Sequence, residues 1–315
     1  MPEHVPVMVQ EIVHYLQPEK GGCFLDGTLG LGGHSLELLK AGSRDLYILG
    51  MDRDRESLEY ASRILQEQGF GSKVMLGHAS YDNFPRVMKE AGWKELDAAL
   101  LDLGISNLQI QDPDRGFSFL SPGKLDMRYD YTGGEQTAAD LVNRASTEKL
   151  REIIKKYGEE PLAGRIARFI SEARNRYFIE DTRELAELVS RAYPEKKRAQ
   201  SKNHPATRTF QALRIAVNRE LEKLQNFLNI LPRYLKSGSR VAVLSYHSLE
   251  DRIVKRCFQQ QFLDNQAKKQ TIPSGQFSWQ ILSKKPITPS AQEIEQNKKS
   301  RSAKLRVAEI EKNED

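Results

Sequence analysis

The sequence predicts an α/β fold: a parallel sheet wound with helices on both faces and interrupted by a helical insertion. Two observations carry that prediction. Short β-rich runs alternate with helical stretches over the first hundred residues, and alternation of this kind builds a parallel sheet. About 135 residues with no comparable strand then separate the fourth run from the fifth.

The runs are CFLD (23–26), LYILGMD (46–52), KVMLG (73–77), DAALLDL (97–103) and SRVAVLSY (239–246). Each of the first four is followed by glycine or polar residues. FSWQILS (277–283) and AKLRVAEI (303–310) alternate in hydropathy and extend the count to seven, a Rossmann-like sheet. The long interval reads as helix. Its clearest segment is 210–231, where Phe210, Leu213, Val217, Leu221, Leu224, Leu228 and Leu231 recur at steps of three and four, predicting one helix that Pro232 stops. A βα crossover needs far fewer residues than this interval supplies. A core of 1–107 and 216–315 carrying an inserted helical domain at 108–215 is therefore expected.

Hydrophobic residues make up 39% of the 315, and charged residues 29%, which places the chain among soluble globular proteins. No apolar run approaches the length of a membrane span, and the N-terminal residues lack the pattern of a secretory signal. Cys23 and Cys257 match no zinc spacing and sit in apolar runs. They read as buried free thiols in a reducing cytoplasm, with no metal implied. A monomer and a homodimer are both compatible with the sequence.

Net charge is +5, and its distribution says more than its size. Residues 191–219 hold Arg191, Lys196, Lys197, Arg198, Lys202, Arg208, Arg214 and Arg219 against the single acid Glu195, a local net of +7. One concentrated basic region suits a phosphate-binding surface; a solvated helix face is the alternative.

The stretch DGTLGLGGHS (26–35) places four glycines in seven positions directly after the first strand. In an open α/β sheet this is where a ligand sits. A P-loop would need Gly-Lys-Ser/Thr, where this chain has Gly32-Gly33-His34-Ser35. A dinucleotide fingerprint would need a glycine where Ser35 stands. S-adenosylmethionine (SAM) remains, because it carries no phosphate and asks only for loop amides and nearby carboxylates. The second strand ends at Asp52, placed to accept the two ribose hydroxyls of an adenosine, while Asp54 reads as a helix cap. The fourth strand ends at Asp102. Asp26, Asp52 and Asp102 should then share one rim of the sheet, around a ligand bearing a sulfonium and an ammonium.

Taken together, HVPVMVQEI (4–12), DGTLGLGGHS (26–35), DRD (52–54), LLDLGIS (100–106), RGFSF (115–119), LDMRYD (125–130), HPATRTFQALRIAVNREL (204–221), SYHSLEDRIVKR (245–256) and RSAKLRVAE (301–309) resemble the ribosomal RNA small subunit methyltransferase H family, in order and over nearly the whole chain. The resemblance implies a class I SAM-dependent methyltransferase with an inserted helical domain. It implies transfer to the N4 amine of one cytidine in the decoding region of 16S rRNA, within the small ribosomal subunit. It places SAM contacts on Gly32, Gly33, His34, Asp52, Asp102 and Gln109, and on an aromatic after the third strand, Tyr81 or Phe84. The family usually reads SSPQ before its glutamine; this chain reads Ser106-Asn107-Leu108-Gln109.

The amine lone pair of cytosine is delocalised, so an acceptor for its N–H assists attack. Asp102 or a neighbouring carbonyl is the candidate, since the (D/N/S)-P-P-(Y/F/W) motif of many amino-methyltransferases is replaced by Asp102-Leu103-Gly104-Ile105. His247 follows the fifth strand and should face the same pocket, in a substrate-side or a structural role. Ser248 reads as a helix cap, with Asp251 at capping-box spacing, because no G-x-S-x-G elbow precedes it. Asp126 and Arg128 are expected to pair and hold the insertion against the core. Two rival readings are a SAM-fold ribosome assembly factor without turnover and a methyltransferase for another nucleic acid.

Overall fold

The computed structural model describes residues 6–131, 133–199, 203–268 and 277–312, with side chains omitted at 107, 199 and 260–268. Lys202, counted in the basic segment, lies outside the described residues. The strands are β1 (Gly22–Asp26), β2 (Leu46–Asp52), β3 (Val74–His78), β4 (Leu96–Asp102), β5 (Leu235–Ser245), β6 (Phe277–Ile281) and β7 (Lys304–Lys312). The helices are α1 (Val9–Leu16), α2 (Gly33–Ala41), α3 (Arg55–Glu67), α4 (Phe84–Glu90), α5 (Asn107–Gln111), α6 (Ala138–Arg144), α7 (Thr147–Gly158), α8 (Ala163–Arg174), α9 (Thr182–Ala192), α10 (Glu195–Ala199), α11 (Thr207–Asn218), α12 (Glu220–Ile230), α13 (Ser248–Lys268) and α14 (Ala291–Gln296).

The chain forms two compact units, Met1–Gly104 with Leu221–Asp315, and Ile105–Glu220. In the first, the strands lie in the order β3-β2-β1-β4-β5-β7-β6. β1 to β5 pair in parallel, and β7 is antiparallel to both β5 and β6. Strand order reverses between β1 and β4, the switch point at which open sheets hold ligands. One face of the sheet packs around Phe84, Phe227, Phe258 and Trp279. The other packs around Ile12, Leu38, Leu58 and Leu65, which come from α1, α2 and α3. Both faces are covered, and β1, β2 and β4 accordingly read as near-continuous apolar runs.

The second unit is helical and has its own core, which includes Leu150, Ile154, Ile166, Ile170, Leu185, Val189, Phe210 and Leu213. The helix expected over 210–231 is two helices. Arg219 adopts φ 52° between them, and α11 ends at the buried Asn218. Asn218 Nδ2 donates to the carbonyls of Met127 (2.7 Å) and Arg214 (3.0 Å), and Oδ1 accepts the Tyr129 N–H (2.9 Å). The apolar stripe runs on through the break because it serves two cores. Phe210 and Leu213 belong to the helical unit, and Leu224, Leu228 and Leu231 to the sheet.

Asp126 and Arg128 do pair, at 2.7 Å, and Arg128 also donates to the Gly133 carbonyl. The pair ties its own loop. The cysteines are half-buried rather than fully buried, and burial pushes the Cys257 thiol up to about 11. No helix among the described residues is long and apolar enough to cross a membrane.

Candidate active site

The carboxyl ends of β1, β2, β4 and β5 bring most of the expected site residues together. The loop after β1 folds tightly because two of its glycines leave no room for a side chain. A Cβ on Gly27 would meet Leu101 Cδ2 at 2.6 Å and Tyr81 Cβ at 3.0 Å. Gly32 has φ 81° and would bring a Cβ within 3.2 Å of Ala61 Cβ. Gly32 also caps α2 without a side-chain hydrogen bond. The first-turn amides, from Gly33 and His34 onward, thus meet no capping oxygen and suit a ligand carboxylate.

The three strand-end acids divide into different jobs. Asp26 is 2% exposed. It accepts the Ser35 hydroxyl (2.7 Å) and the Thr28 N–H (3.2 Å), and burial raises its pKa. Its carboxylate holds the loop closed, a role the sequence did not disclose. Asp52 accepts the N–H groups of Gly30 (2.8 Å) and Asp54 (2.9 Å), and burial pushes its pKa up to about 6. Asp54 caps α3 through the Glu56 N–H, as expected.

Asp102 is held by its backbone, whose N–H donates to Thr28 Oγ1 at 2.6 Å. Its side chain is 18% exposed, within reach of a ligand, and lies 3.7 Å from His34 Nδ1. His34 Nε2 sits 2.8 Å from the Val7 carbonyl. A carbonyl only accepts, so the imidazole proton belongs on Nε2 and Nδ1 faces Asp102 as the second ring nitrogen. Gly104 lies against the Tyr246 ring. Burial first, and then the Asp102 charge, raise the Tyr246 phenol well above its ordinary pKa.

Of the two aromatics after β3, Phe84 is wholly buried between Phe227 and Tyr234 and belongs to the core. Tyr81 is half-buried, with its edge on Phe227 at 5.6 Å and its Cβ beside the glycine loop. Of the two, Tyr81 is the more exposed. Gln109 belongs to the other unit. There it closes a capping box on α5: its Oε1 accepts the Ser106 N–H (3.1 Å), and Ser106 Oγ accepts the Gln109 N–H (3.2 Å). The turn therefore holds without the proline of SSPQ.

The start of α13 differs from expectation. Its reciprocal cap uses His247 and Glu250, one residue earlier than Ser248 and Asp251. Glu250 Oε2 accepts the N–H groups of Tyr246 (2.9 Å) and His247 (3.3 Å), and His247 Nδ1 accepts the Glu250 N–H (3.4 Å). Asp251 instead pairs with Arg306 at 2.6 Å. With Nδ1 accepting, the ring proton sits on Nε2. That atom is buried and lies 3.1 Å from Glu250 Oε1, yet it completes no hydrogen bond among the described residues. Histidine is an uncommon cap, so residue type alone hides the register; the Glu three residues on is the signal that could have disclosed it.

A seven-stranded sheet with its reversal between β1 and β4, a glycine loop after β1 and acids at the tips of β2 and β4 define a class I methyltransferase, and SAM is its methyl donor. The model of the MraW methylase family matches residues 1–311, and the chain belongs to that family. A relative from Oleidesulfovibrio alaskensis, named Ribosomal RNA small subunit methyltransferase H, is 49% identical over 314 residues, covering 97% of this chain and 94% of its own. Relatives of the same name from Solidesulfovibrio magneticus and Lawsonia intracellularis are 49% and 45% identical, covering 98% and 97% of this chain and 95% and 98% of theirs.

Proposed function

We propose that this protein transfers a methyl group from SAM to the N4 amine of one cytidine in the decoding region of 16S rRNA, in the cytoplasm and within the small ribosomal subunit. The observation that carries the substrate is the near end-to-end match to relatives named for small-subunit rRNA methylation.

SAM supplies an electrophilic methyl group on a sulfonium. The residues present suit it. The uncapped amides of Gly33 and His34 at the start of α2 take its carboxylate, and Gly32 keeps that approach clear. Asp52 accepts from the ribose, and Tyr81 packs against the adenosine. Asp102 stands where it can accept the N–H of the target amine, which restores nucleophilic character as nitrogen attacks in line. Bound there, SAM would supply the methyl group in exchange for its S–C bond, and the amine proton would leave to an acceptor on the rim. His247, whose Nε2–H completes no hydrogen bond among the described residues, donates to the cytidine. Most of the rate comes from holding amine and methyl in line. The helical unit, whose expected limits are 108–215, binds the RNA through its basic segment.

The test is transfer of labelled methyl to small subunits, free rRNA and DNA, with mass spectrometry of rRNA from cells lacking the protein. One cytidine lighter by a methyl group is expected. Transfer to DNA alone, or to nothing, overturns the reading.

A further inference from the structure

The sequence shows one basic segment, but folding assembles a second cationic site from residues far apart in the chain. A small depression in the first unit lies between α13 and the ends of β6 and β7. Its polar lining includes Lys255, Gln259, Ser283, Lys284 and Arg306, and its enclosed volume of about 10 Å³ admits one oxygen-sized group.

Its donors are unspent. Lys255 and Lys284 are exposed and join no ion pair among the described residues. Ser283 is 6% exposed; its Oγ accepts the Val307 N–H at 3.1 Å, and its own proton meets no acceptor among the described residues. Arg306 uses Nε and Nη2 on Asp251, leaving Nη1 uncommitted among the described residues. Asp251, the acid paired with Arg306, is held by two cations, Arg306 at 2.6 Å and Lys304 at 3.6 Å. A buried hydroxyl donor ringed by uncompensated cations suits an anion that inserts a single oxygen. A carboxylate or phosphate could each do so, and position decides between them.

β7 pairs antiparallel with β5, with Lys304 opposite Ser245. β6 pairs antiparallel with β7, with Ile281 opposite Ala308. β6 therefore runs in the direction of β5; Ile281 lies level with Val241 and Ala99, three residues short of Asp102, while Arg306 and Val307 of the depression lie level with Leu101 and Leu100, one and two residues short of it. With neighbouring strands about 4.8 Å apart and residues about 3.3 Å apart along a strand, the depression lies two to three strand spacings from β4 and one to two residues below its tip, roughly 10–16 Å from Asp102. That is within a nucleotide or two of a base presented at Asp102.

We propose that this depression is a phosphate-binding site for the backbone of the RNA strand being methylated. It rests on the proposed rRNA substrate. It supplies a contact on the sheet unit, separate from the basic segment of the helical unit. Lys255 and Lys284 provide the charge, and Ser283 donates to a non-bridging oxygen.

The test uses the full-length protein, the Lys255→Ala/Lys284→Ala double variant and Ser283→Ala. Binding of small-subunit rRNA is measured against salt, and SAM affinity and thermal unfolding serve as controls. The double variant should bind RNA more weakly, with the slope of log affinity against log salt reduced by about 1 for each phosphate no longer neutralised. KM for RNA should rise while SAM affinity stays unchanged. Titration with inorganic phosphate, followed by NMR, forms a second arm. Phosphate binding with an unaltered RNA salt slope would assign the site to a free anion and overturn the proposal, as would an unaltered slope without phosphate binding. If the parent protein methylates no rRNA, the functional reading fails instead, and the two failures are thereby distinguished.

Discussion

Asp52 serves two opposed demands. Burial favours its neutral form and raises its pKa to about 6, while the Gly30 and Asp54 amides favour the carboxylate. A ribose needs the carboxylate as acceptor. SAM affinity should therefore be full above pH 7 and fall as pH drops through 6, by about tenfold at pH 5, one unit below that pKa. The stability of the empty protein should run the other way at this residue. A carboxyl group raised by folding contributes stability below its unfolded pKa, and that contribution is lost as pH rises through about 6. Calorimetric titration of SAM between pH 5 and 8 checks the sign, and Asp52→Asn should bind weakly with that pH dependence removed. A flat affinity in the parent protein across this range would show that Asp52 does not hold the ribose in ionised form.

At the start of α13, His247 caps the helix, and the substrate role proposed for it can be tested apart from the cap. His247 caps the helix through Nδ1 and leaves Nε2 orphaned beside the rim. Replacing it separates the two jobs. His247→Ala should cost about 1 kcal/mol of stability, read as a lower melting temperature, whereas Asn is a good cap and should restore most of it. If Nε2 serves the cytidine, the Asn variant should remain stable yet lose roughly 10²-fold in kcat; full turnover in that variant would reduce His247 to a cap. Elements of this kind mark where the sequence was legible. The strands could be placed within a few residues, because each apolar run ends in glycine or charge at the pleat's own length, although β5 starts four residues before its expected run. The break at Arg219 was hidden, because Leu221, Leu224 and Leu228 continue a helical stripe that serves a different core. The cap register was hidden because Ser248 is the commoner capping residue. The hold of Asp26 on Ser35 and Thr28 was hidden because it depends on the loop folding back, and the Lys255–Lys284–Arg306 cluster exists only once α13, β6 and β7 have packed.

At the scale of the whole molecule, the net charge of +5 means less than which cations remain available. Arg214 falls in the basic segment, but it makes a bidentate pair with Glu220 at 2.9 Å on both arms and has a side chain only 15% exposed. It is committed to structure within the helical unit. Arg191 lies 3.8 Å from Glu187, a contact that solvent screens. Lys196, Lys197 and Arg198, exposed on α10, have only Glu195 as an acid within that helix. A phosphate-binding face should therefore lose most of its strength with these three. Their joint replacement by alanine should lower rRNA affinity and reduce the salt slope by up to about 3, one for each cation, while SAM affinity and melting temperature hold. Arg214→Ala should do the reverse, lowering the melting temperature because it removes the bidentate partner of the largely buried Glu220 carboxylate, with the salt slope intact. Filter binding across a salt series, paired with thermal melts, tells the cases apart. If Arg214→Ala shifts the slope and the triple variant does not, the RNA follows a different face of the helical unit from the one α10 presents.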